Sequence, residues 1–168
     1  MLQLLNRFEK QVLKVESVAA VLLAVVMIVV IFSQVVSRNV LNQSLQWSEE
    51  LGRYAFVWLS FIGASLALER GAHLGIDTVV EFLPAKIQKF LKLFTYVILF
   101  IFMIFMITNG LELVSRTGLQ RSPAMRISMS YAYMAIPVGG VLMAFHSIIK
   151  VLNIIANFFN PESEGESV

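Results

Sequence analysis

Few side chains in this sequence are able to do chemistry. Glu49, Glu50 and Arg53 stand in the stretch WSEELGRYAFVWLSFIGASLA, residues 47 to 67, and the two histidines are His73 and His146. His73 and Asp77 are four apart in GAHLGID, a spacing that suits two ligands of a metal site. Such a site needs three or four ligands, and no further ones are evident, so a structural or loop-capping histidine is the preferred reading. His73 and His146 fall on the same side of the arrangement derived below. A bis-histidine haem is therefore a second reading, though one histidine on a helix and one on a loop match paired axial ligands loosely. The chain has no cysteine, which excludes disulfides, thiol catalysis, thiolate zinc and iron–sulfur clusters. It has no glycine-rich phosphate loop, no HExxH and no serine or threonine with a histidine and a carboxylate close by. The sequence reads as a non-enzyme with no catalytic, cofactor-binding or metal-binding residues.

The elements that carry these residues belong in lipid. Of 168 residues 58% are hydrophobic and 14% charged, with mean hydropathy +0.78, too little polar surface for a soluble domain of this length. The basic balance, net charge +2, comes from lysines and arginines at the edges of apolar runs, which suits lipid head groups and implies no nucleic-acid surface. Three windows free of Asp, Glu, Lys and Arg are long enough to cross about 30 Å of hydrocarbon: Ser17 to Ser37 (21 residues), Leu93 to Leu111 (19) and Ile127 to Ile149 (23). A fourth, Tyr54 to Leu68, holds 15 residues and crosses only if its helix begins near Trp47. The expected fold is an all-α integral membrane protein with four transmembrane helices, about 17–37, 47–68, 93–111 and 127–149. One or two amphipathic interfacial helices complete it.

Residues 1–16 place Leu2, Leu5, Phe8, Val12 and Val15 opposite Arg7, Lys10 and Lys14, which suits a helix lying on the membrane before the 17–150 membrane domain. Residues 78–92 alternate in a similar way around Pro84. For 86–92 a simple extension of the next span stands equally open. The polar stretch 151–168 ends in the acidic NPESEGESV and reads as a tail. Lysines and arginines number eight on the side of both termini and five on the other, so the termini are expected in the cytoplasm. The first span is too long for a signal-peptide core and no A-x-A-like site follows it. Pro137, Gly139 and Gly140 are expected to bend the fourth span near its middle.

Within the spans no carboxylate, lysine or arginine stands near the midplane, and no internal repeat is visible; carriers usually have both. Ser33, Gln34 and Asn109 are read as interhelical hydrogen-bonding groups. Ser60, Gly63, Ala64 and Ala67 put small residues at three- and four-residue spacing, so that another helix can approach closely. Glu49 and Arg53 stand at i and i+4, a local pair near the positive end of a helix. Glu50 points about 100° away, on a stripe with Trp47 and Tyr54, and has no basic residue three or four positions off. A contact from Glu50 to a neighbouring helix is expected.

The pattern W-S-E-E-L-x-R-Y-x-F-V-W-x-x-F-x-G-A, followed by G-x-H-x-x-x-D at Gly71, His73 and Asp77, resembles the small membrane subunit of tripartite ATP-independent periplasmic (TRAP) transporters, the DctQ-like family. Arg38 with N-V-L-N and the run S-P-A-M-R-I-S-M leading to Y-M-A-I-P-V-G are similar in order and spacing, so that the resemblance covers about 30 to 145. Ser130 and Tyr131 stand where relatives are bulkier and more aromatic. The resemblance implies an accessory subunit in the bacterial inner membrane, supporting a large membrane subunit in sodium-coupled uptake of an organic acid such as sialic acid or a C4-dicarboxylate. A soluble periplasmic binding protein would deliver the substrate. The partner interface is then expected on Trp47, Glu50, Arg53, Tyr54, Ser60, Gly63, Ala64 and Ala67. The alternative is a haem- or quinone-associated membrane anchor of a redox complex, for which His73 and His146 are the available axial ligands.

Overall fold

The computed structural model describes residues 2–70 and 84–159. The first helix, α1, runs from Leu2 to Val40 without interruption, 39 residues or about 58 Å. No glycine or proline lies between those ends, and nothing else in the run breaks the i to i−4 ladder. The amphipathic segment expected as a unit of its own therefore continues straight into the first span. After Val40 the chain turns through Asn42, at φ 50°, with Ser37 closing the turn: its hydroxyl donates to the Gln43 carbonyl at 2.9 Å.

Helix α2 spans Gln46–Glu69, one residue from the expected start. Its 24 residues take in the WSEELGR turn, and with it the helix is long enough to cross a membrane. Helix α3 covers Ala85–Thr117 behind Pro84, whose fixed φ suits the residue before a first turn. Residues 86–92 are thus the opening turns of the third spanning helix; residues 78–83 lie outside the described residues. A single turn, α4 (Ser130–Tyr133), leads into α5, Ala135–Phe159. Four helical segments, 5–40, 46–69, 94–117 and 130–153, are long and apolar enough to cross a membrane.

The interruption in the last span falls at Met134, near its start and not in its middle. Pro137 has no N–H to give to the Tyr133 carbonyl, so the ladder resumes only when Val138 donates to Met134 at 3.1 Å. The glycines of that span serve close packing instead of bending. A Cβ at Gly139 would stand 2.7 Å from the Phe61 Cβ of α2, and one at Gly140 would stand 2.9 Å from Ile107 of α3. Gly110 of α3 receives the Pro137 ring in the same manner.

Helix α5 is therefore wedged between α2 and α3, and α2 packs in turn on α1. The spatial order is α1, α2, α5, α3, a row and not a closed square. Its apolar core is small, built on Leu68, Met103 and Ala144. Along α1, Val18, Val21, Leu22, Val25, Ile28, Val29 and Phe32 are all exposed, which only a lipid solvent makes tolerable.

Candidate partner interface and buried polar clusters

The first turns of α2 sort three neighbouring charges by depth. Glu49 and Arg53 are exposed and 4.0 Å apart, the expected local pair in a hydrated setting. Glu50, one position on, is 3% exposed and faces its own chain. Its Oε1 accepts from the Tyr54 hydroxyl at 2.6 Å, and its Oε2 accepts from the backbone N–H groups of Ala124 at 2.8 Å and Met125 at 3.2 Å. In place of the expected contact with a neighbouring helix, Glu50 is held within its own chain: Tyr54, four positions on, is a donor though not a base, and backbone amides about 75 residues away supply the rest. A carboxylate removed from water is tolerable when several donors replace its hydration.

The loop that donates those amides is itself locked. Arg121 and Ser128 form an antiparallel bridge, Ser122 N–H donates to the Ile127 carbonyl at 2.8 Å, and Ile127 N–H donates back to the Ser122 hydroxyl at 3.2 Å. Arg126 at the tip has φ 54°, the left-handed region. Two further bonds tie this part of the chain to its neighbours: Ser130 Oγ donates to the Val114 carbonyl at 2.8 Å, and Trp58 Nε1 to the Tyr131 carbonyl at 3.0 Å. The 118–129 loop is thus fixed onto α2, with Glu50 at the join.

Among the described residues no helix packs on the other face of α2. Arg53, Ser60, Ala64 and Ala67 are exposed, Phe56 is about half exposed, and a Cβ built on Gly63 meets no described residue within 4 Å. Ser48, Gly52, Ala55, Ile62, Ser65 and Leu68 line the inward face. Ser60 donates its hydroxyl to the Phe56 carbonyl of its own helix at 2.8 Å, so it leaves no unsatisfied donor on the outer face. Of the residues expected at an interface, Arg53, Ser60, Ala64 and Ala67 share this outer side, with Gly63 at its edge; Trp47, at the first turn, lies on the stripe of Glu50 and Tyr54. Glu50 and Tyr54 stand behind it. Gly71, His73 and Asp77 lie outside the described residues.

His146 occupies a second buried cluster, at the opposite end of the helices. The ring has no solvent exposure; Nδ1 stands 3.0 Å from Glu9 Oε1 and Nε2 stands 3.0 Å from Glu16 Oε1. Both ring nitrogens are engaged by carboxylates, so His146 as placed offers no lone pair to an iron; His73 lies outside the described residues. Sequence reasoning missed the partners of His146. The available signal is the spacing of Glu9 and Glu16, seven residues and about two turns apart on one side of α1, among the apolar positions Leu2, Leu5 and Val12.

Comparison with known proteins places these features. Residues 27–157 match the family described as tripartite ATP-independent periplasmic transporters, DctQ component. The chain is 28% identical over 151 residues to the sialic acid TRAP transporter small permease protein SiaQ of Vibrio cholerae, covering 90% of this chain and 87% of that one. It is 32% identical over 104 residues to the C4-dicarboxylate TRAP transporter small permease protein DctQ of Rhodobacter capsulatus, 61% of this chain and 46% of that protein. Over 119 residues it is 30% identical to the sialic acid TRAP transporter permease protein SiaT of Haemophilus influenzae. That match takes in 71% of this chain and spans only 19% of the length of SiaT.

Proposed function

The chain belongs to the DctQ family, the small membrane subunits of TRAP transporters, and from that premise we propose that it is a scaffold that holds a large permease subunit in place during sodium-coupled uptake of an organic acid. The observation that carries this reading is the outer face of α2. It offers small residues and one glycine with open space above it, in a chain whose other close helix contacts already use their glycines internally. The match to under a fifth of SiaT supports a large membrane partner, since there a segment similar to this chain is joined to much more protein. A periplasmic binding protein that delivers the substrate completes the proposed assembly. Relatives of similar likeness are named for sialic acid and for C4-dicarboxylates, so the substrate is proposed only as an organic acid.

The chain sits in the inner membrane as a multi-pass protein, with both termini in the cytoplasm and the 41–45 and 118–129 loops in the periplasm. The bias of eight basic residues to five supports this orientation. Single cysteines at Lys10 and Asn42 should label from opposite sides of the membrane, and labelling of both from one side refutes the topology.

The interface is tested by Gly63→Leu. No described residue stands within 4 Å of a Cβ there, so the variant should insert and unfold as the parent does. Recovery of the large subunit on a tagged small subunit should fall, and sodium-dependent uptake with it. Undiminished recovery would move the interface off this face. Proteoliposomes containing the small subunit alone should remain impermeable to organic acids. Uptake by it alone would end the accessory reading.

A further inference from the structure

We propose that Glu9, His146 and Glu16 form a proton-binding clasp, which holds the first four turns of α1 against α5 while the imidazole carries both ring protons and lets go when it loses one. Helices α1 and α5 are not neighbours in the row and touch sparingly. Near the amino end of α1 the polar and ring contacts to α5 are the two carboxylates on His146 and the edge of Phe8 on Phe145, with ring centroids 5.8 Å apart, beside the partly buried Leu5, Asn6, Val12 and Leu13. Its polar hold on α5 passes through one imidazole.

The chemistry follows from counting hydrogens. A carboxylate oxygen accepts only, so both contacts at 3.0 Å are hydrogen bonds when Nδ1 and Nε2 each carry a hydrogen. A neutral ring has one N–H, and its other nitrogen then turns a lone pair toward a carboxylate lone pair. Water cannot relieve the conflict, because the ring is wholly buried and Glu16 is 3% exposed. The two glutamates approach opposite edges of the ring, so they cannot share one metal ion with it, and the ligand is a proton. As the contact opens the proton passes from one ring nitrogen to water, and on closing it returns to the same atom.

The surrounding charges favour holding that proton. One imidazolium faces two carboxylates, and the second oxygen of Glu16 is buried without a partner among the described residues. Arg7, Lys10 and Lys14 of α1 are exposed, and Lys150 lies one turn along α5. Glu69 and Arg70 end α2 on this side, and Lys86, Lys89 and Lys92 stand in the opening turns of α3. The described ion pairs of His146 are those with Glu9 and Glu16.

The absence of cysteine makes the test direct. Spin labels on Lys10→Cys and Leu152→Cys, in the full chain in lipid nanodiscs, report the distance between α1 and α5 from about pH 5 to about pH 10, a range that brackets imidazole titration. The expected result is one narrow short-distance population at the acid end and its loss to a broad, longer one as pH rises. In His146→Gln the response to pH should vanish. Nitrogen NMR of the His73→Gln protein, which leaves one imidazole, should show both ring nitrogens protonated in the short-distance state and one deprotonated in the other, with a shared midpoint. A distance that does not change across the range overturns the clasp. So does an equal response in His146→Gln, or a ring that is already neutral where the distance is short.

Discussion

Each end of the helix row holds a buried carboxylate site, and the two ends neutralise charge by different means. At the end formed by the two short loops, Glu50 is satisfied by a phenol and two backbone amides, donors that keep their hydrogens at ordinary pH. At the other end Glu9 and Glu16 share one imidazole, a donor whose kind can gain and lose a hydrogen in water without leaving the physiological range. The lesson is that burial of a carboxylate does not by itself make a switch; the identity of its donor does. The Glu50 end is built to stay closed, and the His146 end is built to answer to protons.

The comparison breaks most easily at its charged end. His146→Leu strands two carboxylates in a buried site, and unfolding should become easier by about 3 to 5 kcal/mol, read from the denaturation midpoint in detergent. A loss below about 1 kcal/mol would mean that the cluster is already relieved by water. Glu50→Ala should act more locally. The amides of Ala124 and Met125 lose their acceptor, and their hydrogen exchange should speed up by roughly tenfold while that of α5 is unchanged. Exchange that rises equally throughout would show that the loop and the helices unfold as one unit. Tyr54→Phe removes one of three donors and should cost about 1 kcal/mol. Glu49→Ala should change stability by no more than about 0.5 kcal/mol, since its partner is 4.0 Å away and both side chains are about two-thirds exposed. Equal effects at Glu49 and Glu50 would remove depth as the distinction between them.

Much of the architecture is legible in the sequence because lipid imposes a simple rule. Apolar runs of the right length between charges must be helices, and 15 residues are too few, which alone places the start of α2 at the WSEELGR turn. The small stripe of α2 is legible too, as a period of three to four. What stays hidden is anything that depends on distant backbone. The amides that hold Glu50 belong to a loop whose shape rests on a β-bridge and a left-handed Arg126, and no residue type announces them. His146 is legible as an oddity on an apolar helix, but its partners lie about 130 to 140 residues away on a helix that reads as surface-lying. Pro137 misleads for a different reason. A proline marks where the ladder is interrupted, and the missing bond falls four residues upstream, so the break precedes it.

A row of four helices has more rim than a closed bundle of four. Helix α1, at one flank, leans for much of its length on α2 alone, and the opposite side of it is bare. Beyond its first four turns, no described residue presses that flank inward. In a bilayer the lateral pressure of the surrounding chains does so, and the lipid becomes a part of the fold in a mechanical sense. Stripped of lipid, such a row should fail first by splaying at its edge, with its two central helices still together.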